Sequence, residues 1–290
     1  MGLVLGIVGL PNVGKSTLFR ALTRVEAEAA NYPFCTIEPN VGIVPVQDER
    51  LQKLNELIKP EKCVPATLKV VDIAGLVKGA SEGEGLGNQF LSHIREVQAI
   101  AHVVRCFEDE NIAHVTGKPS ALDDLEIVET ELILADLSQL ERKLERLSKQ
   151  MKGKSAKGSS PDANETAVFQ KMHDHLASGK MASSLELSEE EEKTLQELQL
   201  LTAKPFFYVA NLDEEELENP GPQFQALEIH AAQQGKSVIP VSAKLEAELS
   251  EMDEEESREF QEEMGLQQTG LDQVIICLLY TSDAADEQLS

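Results

Sequence analysis

The chain has 290 residues, of which 41% are hydrophobic and 27% charged, a composition typical of a globular protein with a substantial core. Its formal net charge of −25 argues against general electrostatic adhesion to DNA, RNA or anionic membranes. We expect no signal peptide, and no membrane-spanning segment because no apolar run approaches about 18 residues. The four cysteines are widely separated and contain no C-x-x-C pair, so reduced thiols in a cytoplasmic protein are the simplest interpretation.

The first motif is a phosphate loop. Residues 9–17 match the pattern G-x-x-x-x-G-K-[ST] at every fixed position. An apolar run at residues 3–8 precedes the motif and a helical stretch at residues 16–23 follows it, which is the context that the motif requires. The backbone N–H groups of such a loop surround phosphate oxygens. We expect Lys15 to reach the outer phosphates and the Ser16 hydroxyl to bind Mg²⁺.

Two further segments are typical of a nucleotide switch. The irregular loop at residues 31–40 carries Thr36, which is expected to close on Mg²⁺ and the γ-phosphate, with a simple connecting loop as the alternative. The strand pattern at residues 67–72 ends in Asp72, and Gly75 follows three residues later, as in the Walker-B and D-x-x-G arrangement. Asp72 is expected to hold Mg²⁺ through water, and the Gly75 N–H to contact the γ-phosphate.

The residue after D-x-x-G is Leu76, where Ras-like GTPases carry a glutamine that orients the attacking water. Leucine cannot form that hydrogen bond, so either hydrolysis is very slow or another group positions the water. His114, in the loop after the strand pattern at residues 99–107, is a candidate, with an ordinary surface residue as the alternative. Asn12 is a candidate ligand for K⁺ beside the phosphates. The candidate catalytic residues are Lys15, Gly75 and His114.

From about residue 129 the pattern becomes helical. Apolar residues recur at alternating spacings of 4 and 3, which is a heptad seam: Ile133, Leu137, Leu140, Leu144, Leu147 and Met151. A polar break at residues 153–164 and a second helical stretch at residues 165–201 predict an antiparallel, coiled-coil-like hairpin. Its tip is basic, which indicates either a solvated face or a contact for RNA phosphates or an acidic protein. The basic residues are Arg142, Lys143, Arg146, Lys149, Lys152, Lys154 and Lys157.

The strand pattern at residues 204–210 leads to N-L-D-E at residues 211–214, where GTPases carry the guanine-reading N-K-x-D. The last carboxylate of N-K-x-D accepts hydrogen bonds from guanine N1–H and its amino group, and adenine lacks these donors. Leu212 replaces the lysine and Glu214 the aspartate, so the residues favour ATP but leave GTP open. A last strand pattern ends in S-A-K at residues 242–244, which normally flanks the base.

Together these motifs resemble the YchF subfamily of Obg-like P-loop NTPases. The resemblance covers about residues 1–276 and is most specific over residues 72–90. It implies ATP in preference to GTP, association with the ribosome, and Mg²⁺ ligands at Ser16 and Thr36, and it strengthens the case for His114. The implied nucleotide contacts are Asn12, Val13, Gly14, Lys15, Ser16, Thr17, Asn211 and Leu212, with Ser242 beside the base.

The predicted fold class is therefore α/β, a doubly wound and mostly parallel P-loop domain with an inserted helical hairpin. We predict a nucleotide-binding domain at residues 1–128 and 204–276, and a helical coiled-coil domain at residues 129–203. Members of the subfamily continue into a C-terminal TGS domain. Because residues 277–290 no longer follow the subfamily, we expect an atypical or truncated tail and no TGS domain.

The predicted function is slow Mg²⁺-dependent hydrolysis of ATP to ADP and phosphate by a cytoplasmic, ribosome-associated switch. Mg²⁺ is the expected cofactor, with K⁺ as a second candidate, and neither a membrane nor DNA is an expected partner. One alternative is a GTPase of translation or ribosome assembly. The other is a nucleotide-gated binding module with little catalysis.

Overall fold

The computed structural model describes residues 3–24, 40–46, 49–60, 62–73, 86–114, 117, 119–153, 161–266 and 268–281. These residues divide into two compact units. The first comprises Met1–Gly75, Val97–Asp124 and Phe206–Ser290, and the second comprises Leu76–Glu96 and Leu125–Pro205. No helix among the described residues combines the length and apolar character needed to cross a membrane.

A six-stranded sheet forms the centre of the first unit, in the order β2-β3-β1-β4-β5-β6. Its strands are β1 (Val4–Val8), β2 (Val41–Pro45), β3 (Thr67–Asp72), β4 (Ala99–Arg105), β5 (Phe206–Asn211) and β6 (Val238–Val241). Every residue of β4 and β5 is buried, which explains their uninterrupted apolar sequences. Strand β1 runs parallel to both β3 and β4. The chain therefore changes direction across the sheet at the carboxyl end of β1, where α/β folds bind ligands.

Strand β2 departs from the parallel arrangement. It pairs antiparallel with β3, in the register Val41↔Val71 to Pro45↔Thr67. Because β2 lies at the edge of the sheet, it needs no helical crossover to a parallel neighbour, and antiparallel edge strands are common on such sheets. The predicted class, an α/β fold with a mostly parallel sheet, is confirmed.

Helices fill the connections between the strands. In chain order they are α1 (Lys15–Arg24), α2 (Glu49–Ile58), α3 (Leu86–Glu96), α4 (Ala121–Gly153), α5 (Pro161–Ala177), α6 (Glu189–Gln196), α7 (Pro222–Gln233), α8 (Ala243–Leu249), α9 (Glu254–Glu263) and α10 (Gly270–Thr281). Short 3-10 helices lie at Ala182–Ser184, Leu201–Ala203 and Glu214–Glu216. The sequence predicted α1 to within one residue at each end but did not predict α2, whose described side chains are exposed apart from that of Leu51.

The second unit contains the predicted antiparallel pair, α4 and α5. Lys143 of α4 contacts Glu165 of α5 at 3.0 Å, and Glu141 of α4 contacts His173 of α5 at 3.7 Å. The two helices therefore run in opposite directions. Ile133, Leu140 and Leu147 of the predicted seam are buried, whereas Leu137 and Leu144 are partly exposed. The side chain of Met151 lies outside the described residues.

A buried carboxylate of α4 fixes the segment that follows α6. The carboxylate of Asp136, whose side chain has no exposed surface, accepts hydrogen bonds of 3.0 and 2.8 Å from the N–H groups of Leu201 and Thr202. The Thr202 hydroxyl adds a third at 2.7 Å. No local sequence pattern indicated this anchor, because the residues are 65 and 66 positions apart.

Helix α10 starts on another buried carboxylate, in the first unit. The N–H of Gly270 donates to Glu246 Oε1 at 2.6 Å, and Glu246 is 4% exposed. The helix then continues through residue 277 to Thr281, so the point at which the sequence leaves the subfamily pattern is not an element boundary.

Candidate nucleotide site

The phosphate loop joins β1 to α1 and relies on two glycines. A Cβ at Gly9 would collide with the carbonyl oxygen of Val103 on the neighbouring strand. Gly14 has a φ of 97°, and a Cβ there would collide with the side-chain amide of Asn211. Asn12 also has a positive φ, 61°, which asparagine tolerates better than most residues. The fixed glycines of the motif therefore permit both the turn and the close approach of β4 and β5.

Lys15 lies inside this loop. Its side chain is 6% exposed, and Nζ donates a hydrogen bond of 2.7 Å to the carbonyl oxygen of Leu10. Burial lowers the Lys15 pKa to about 8, and the nearby Asp72 carboxylate partly opposes that shift. The ammonium is thus buried inside the phosphate loop, where it is bonded to the loop's own backbone.

Ser16 and Asp72 meet beside Lys15. The Ser16 hydroxyl donates to Asp72 Oδ2 at 3.0 Å. The other oxygen, Oδ1, is buried and has no hydrogen-bond partner among the described residues. Burial raises the Asp72 pKa, while Ser16 and Lys15 oppose the shift. A hydroxyl and a carboxylate with an unused oxygen are hard oxygen donors, so these residues fit Mg²⁺.

Asn211 connects the base end of the site to the phosphate loop. Its Nδ2 donates to the Val13 carbonyl at 2.9 Å, and its Oδ1 accepts from the Ala243 N–H at 2.9 Å. The side chain is 5% exposed. Asn211 therefore ties the end of β5 to the phosphate loop and to the first residue of α8.

The other predicted base contacts are buried beside Asn211. Leu212 is 2% exposed, and its N–H donates to the Val241 carbonyl at 2.8 Å. Ser242 is also buried, and its hydroxyl caps α8 by accepting from the Leu245 N–H. Both side chains are therefore buried, and the Ser242 hydroxyl is used on the chain itself.

Glu214, the last residue of the N-L-D-E segment, forms an ion pair. Its Oε1 lies 2.9 Å from Lys244 Nζ of the S-A-K segment. The Lys244 side chain is 75% exposed and that of Glu214 is 32% exposed, so solvent screens this pair. The carboxylate that would have to read guanine is engaged by a cation of the chain itself.

His114 lies in the loop after β4 and is not a surface residue. Its Nε2 lies 2.8 Å from Asp124 Oδ2, and the two side chains are only 2% and 3% exposed. Asp124 is in the first turn of α4, where its own N–H donates to the Ser120 carbonyl. Burial raises the Asp124 pKa, and the hydrogen bond from His114 opposes that shift.

The loop that carries His114 is fixed from two sides. Arg105, 1% exposed at the end of β4, donates to the carbonyls of Phe107, Ile112 and Asp109 at 3.2, 3.1 and 3.0 Å. Asn12 Nδ2 donates to the Ala113 carbonyl at 3.1 Å. The residue before His114 is therefore bonded directly to the phosphate loop.

The structure brings together most of the predicted site residues it describes. Lys15, Ser16 and Asp72 form one cluster, and Asn211, Leu212 and Ser242 adjoin the loop at Val13 and Gly14. Thr17 follows as an exposed residue in the first turn of α1. Thr36, Gly75 and Leu76 lie outside the described residues, so their predicted roles stay predictions.

Sequence reasoning missed two residues of this region, Asp124 and Arg105. Asp124 is one of several acidic residues at the start of a helix, and such residues are common there for their interaction with the helix dipole. Arg105 ends a buried strand, where a charge without partners would be costly. Its presence at the end of a mostly apolar strand pattern was the sequence feature that could have identified it.

Comparison with known proteins agrees with this geometry. The family model described as "50S ribosome-binding GTPase" matches residues 4–152. The ribosome-binding ATPase YchF of Escherichia coli O157:H7 is 53% identical over 276 residues, which cover 95% of this chain and 74% of that protein. The protein of the same name from Bacillus subtilis is 52% identical over 277 residues, covering 95% and 75%.

A solved structure extends the match to three dimensions. The Schizosaccharomyces pombe YchF GTPase superposes with a TM-score of 0.84 at 38% identity, covering 97% of this chain and 75% of that one. With a complete phosphate loop, a Walker-B aspartate bonded to its serine and relatives of this similarity, the chain belongs to the YchF family of P-loop NTPases.

Proposed function

We propose that this P-loop NTPase is a slow Mg²⁺-dependent ATPase, which hydrolyses ATP to ADP and phosphate as part of a ribosome-associated switch. The cluster of Lys15, Ser16 and Asp72 carries the proposal, because it combines a buried cation, a hydroxyl and an unsatisfied carboxylate oxygen at the carboxyl end of β1. These are the groups that phosphoryl transfer requires.

The proposed mechanism assigns each group of the cluster a task. Lys15 exchanges its hydrogen bond to the Leu10 carbonyl for contacts with the outer phosphates. Ser16 and Asp72 would hold Mg²⁺ through the Ser16 hydroxyl and the unsatisfied oxygen of the Asp72 carboxylate. Mg²⁺, when bound, neutralises charge on the β- and γ-phosphates. The N–H groups of Gly14 and its neighbours surround the phosphate oxygens. Positioning and electrostatic stabilisation account for the reaction.

Adenine is the proposed base. Glu214 is bonded to Lys244, and Asn211 uses its side chain on Val13 and Ala243. The Glu214 carboxylate is therefore paired within the chain and is not presented to guanine. The relatives are named both ATPase and GTPase, so their names leave the base open. Titration of the purified chain with ATP and GTP analogues in Mg²⁺ tests the choice. Clear preference for ATP supports it, whereas preference for GTP establishes the GTPase alternative.

His114 is the proposed group that positions the attacking water, since Leu76 has no polar atom for this purpose. The hydrogen bond from Asn12 to the Ala113 carbonyl supports the assignment, because it ties the histidine loop to the phosphate loop. Thr36 and the N–H of Gly75 are proposed to contact Mg²⁺ and the γ-phosphate, respectively. Single-turnover hydrolysis by His114→Ala tests the histidine, and an unchanged rate contradicts its role.

K⁺ is a proposed second cofactor, bound by Asn12 beside the phosphates. Asn12 is exposed, and its amide nitrogen is bonded to Ala113, which leaves the amide oxygen to face a ligand. Replacing K⁺ by Na⁺ should reduce the rate of hydrolysis. Equal rates in the two salts remove K⁺ from the mechanism.

The proposed partner is the ribosome, in the cytoplasm, as the names of the relatives from Escherichia coli and Bacillus subtilis suggest. Contact with RNA through the basic hairpin tip has less support. Within the described residues Lys143 is paired with Glu165 and Glu197, and Lys149 with Glu145. Co-sedimentation with ribosomes in ATP and ADP tests the partner, and no sedimentation in either contradicts it.

Hydrolysis measured with and without ribosomes separates the ATPase from a nucleotide-gated binding module. Strong stimulation of single-turnover hydrolysis favours the enzymatic cycle. Ribosome binding that needs ATP but not hydrolysis favours the module.

We also propose that residues 1–128 and 204–276 form the nucleotide-binding domain and that residues 129–203 form the inserted helical domain. Hydrogen exchange tests the division. If residues 129–203 exchange as a group at a rate unlike that of the sheet, the division holds.

A further inference from the structure

The buried pair of His114 and Asp124 includes a carboxylate that is only partly satisfied. Asp124 Oδ2 contacts His114 at 2.8 Å, but Asp124 Oδ1 is buried without a hydrogen-bond partner among the described residues. A buried carboxylate with one of its oxygens unsatisfied reduces stability. Costly polar groups of this kind are concentrated at functional sites.

The pair also determines the chemistry of the imidazole. An ionised carboxylate can only accept hydrogen bonds, so His114 Nε2 carries the proton that is directed at Asp124. In the neutral ring, Nδ1 is then the hydrogen-bond acceptor. That is the tautomer needed to accept a hydrogen bond from a water molecule. Asp124 thus selects one of the two neutral forms and fixes the plane of the ring.

The surroundings of the pair indicate a fixed position. Arg105 holds carbonyls of the loop before His114, and Asn12 holds the Ala113 carbonyl. Asp124 itself belongs to the first turn of α4. A histidine that had to swing between two places would need a mobile loop, and these contacts restrain this one.

We propose that Asp124 is a positioning residue for ATP hydrolysis, holding His114 in the orientation and tautomer in which it contacts the attacking water. The proposal rests on the proposed role of His114. It assigns Asp124 no contact with the nucleotide, so loss of the carboxylate should slow the chemical step and leave nucleotide affinity unchanged.

The test uses the full chain, four single variants and the double variant of His114→Ala with Asp124→Asn. Asp124→Asn keeps the shape of the side chain but offers an amide donor in place of one oxygen, which favours the wrong tautomer. Asp124→Glu keeps the carboxylate. His114→Ala removes the imidazole, and Asp123→Asn changes the exposed neighbour on the same turn as a matched control. The measurements are single-turnover ATP hydrolysis, the Kd of a non-hydrolysable ATP analogue and the melting temperature.

We expect Asp124→Asn to hydrolyse ATP at least about 10-fold more slowly, within the range for positioned acid–base groups, with an unchanged Kd. Asp124→Glu should recover part of the rate, and Asp123→Asn should match the original chain. In a His114→Ala background, Asp124→Asn should have no further effect, because both changes remove the same interaction.

Four outcomes overturn parts of this account. If His114→Ala is slow but Asp124→Asn keeps the original rate, Asp124 does not position the histidine and the proposed function stands. If His114→Ala keeps the original rate, the proposed role of His114 fails first. If Asp124→Asn is faster than the original chain, the carboxylate restrains the histidine. If Asp124→Asn unfolds, Asp124→Glu is compared with Asp123→Asn instead. In that case an Asp124→Glu variant that is as slow as His114→Ala, with an unchanged Kd for the ATP analogue, contradicts the proposal.

Discussion

The side-chain amide of Asn211 donates a 2.9 Å hydrogen bond to the backbone carbonyl of Val13, 198 residues away in the chain. The bond places the segment expected to read the base directly on the loop expected to hold the phosphates. The second bond of Asn211, to the Ala243 N–H, brings the start of α8 to the same point. The two ends of the nucleotide site are therefore positioned by one side chain.

Replacement of Asn211 by Ala should weaken ATP and GTP binding alike and lower the melting temperature. The change leaves the Val13 carbonyl and the Ala243 N–H without their partner, at a cost of about 1–3 kcal/mol for each buried group. Calorimetric titration and thermal unfolding measure both effects, with the exposed Asn219→Ala as control. Loss of ATP binding without loss of stability would show that Asn211 acts on the base alone.

ATP affinity should decrease as the pH rises above about 8. The Lys15 pKa is lowered to about 8 by burial, so the ammonium that is proposed to bind phosphate loses its proton in that range. Bound phosphates favour the charged form, so binding near pH 9 should take up a proton. Titration in buffers of different ionisation enthalpy detects that uptake. Lys15→Ala should abolish triphosphate binding, with exposed Lys180→Ala as control; original affinity in Lys15→Ala would contradict the phosphate-loop assignment.

Asp72→Asn should raise the Mg²⁺ concentration needed for ATP binding by about 10-fold or more, as expected for groups that orient metal ligands. The amide loses the charge of the carboxylate whose Oδ2 is bonded to Ser16 and whose Oδ1 is unsatisfied among the described residues. The measurement is ATP-analogue binding as a function of Mg²⁺ concentration. An unchanged Mg²⁺ requirement would place the cation elsewhere.

Lys244→Ala should raise GTP affinity relative to ATP affinity. The variant releases Glu214 from its ion pair, so the carboxylate becomes available to the donors of guanine. Because Lys244 is largely exposed and solvent screens its ion pair, the change in the ratio should be no more than about 5-fold. Competition between the two nucleotides measures the ratio. A ratio that stays constant would show that Lys244 does not affect base selection.

Between about pH 4.5 and 7, Glu246 should make the protein less stable as the pH rises. Burial raises the Glu246 pKa from 4.5 to about 7, so the folded chain binds this proton more tightly than the unfolded chain. The stabilisation is complete below pH 4.5 and is lost as the pH rises through about 7. Its size is on the order of 3 kcal/mol, at about 1.4 kcal/mol for each pKa unit.

Glu246→Gln keeps an oxygen to accept from the Gly270 N–H and cannot titrate. Denaturant unfolding of this variant should therefore lack the dependence on pH in that range. The exposed Glu251→Gln serves as the control. If Glu246→Gln and the original chain show the same pH dependence, the proton is bound elsewhere.

Local patterns explain which parts of the fold could be predicted. The phosphate loop could be predicted because its motif is continuous in the sequence. Strands β1, β4 and β5 appear as apolar runs because each is buried on both sides of the sheet. The direction of β2 could not be read in this way. An alternating strand has the same pattern whether it runs parallel or antiparallel to its neighbour.

Long-range partners explain what was missed at the site. His114 was identified as a candidate, but its burial and its contact with Asp124 depend on where the loop meets the start of α4. Asn211 was expected near the base, whereas its two hydrogen bonds run to backbone groups that only the folded sheet brings together. Residue type indicated the chemistry, and tertiary packing determined the partners.

Arg105 couples the stability of the loop at residues 107–112 to that of the sheet. A connection whose carbonyls are bonded to solvent can open while the sheet stays intact. The carbonyls of Phe107, Asp109 and Ile112 are instead bonded to a guanidinium that is itself buried at the end of β4. Opening this loop would leave the buried guanidinium without its hydrogen-bond acceptors. The loop should therefore unfold together with β4. The segment that carries His114 should therefore fluctuate together with the sheet, although it connects β4 to a helix as a surface loop would.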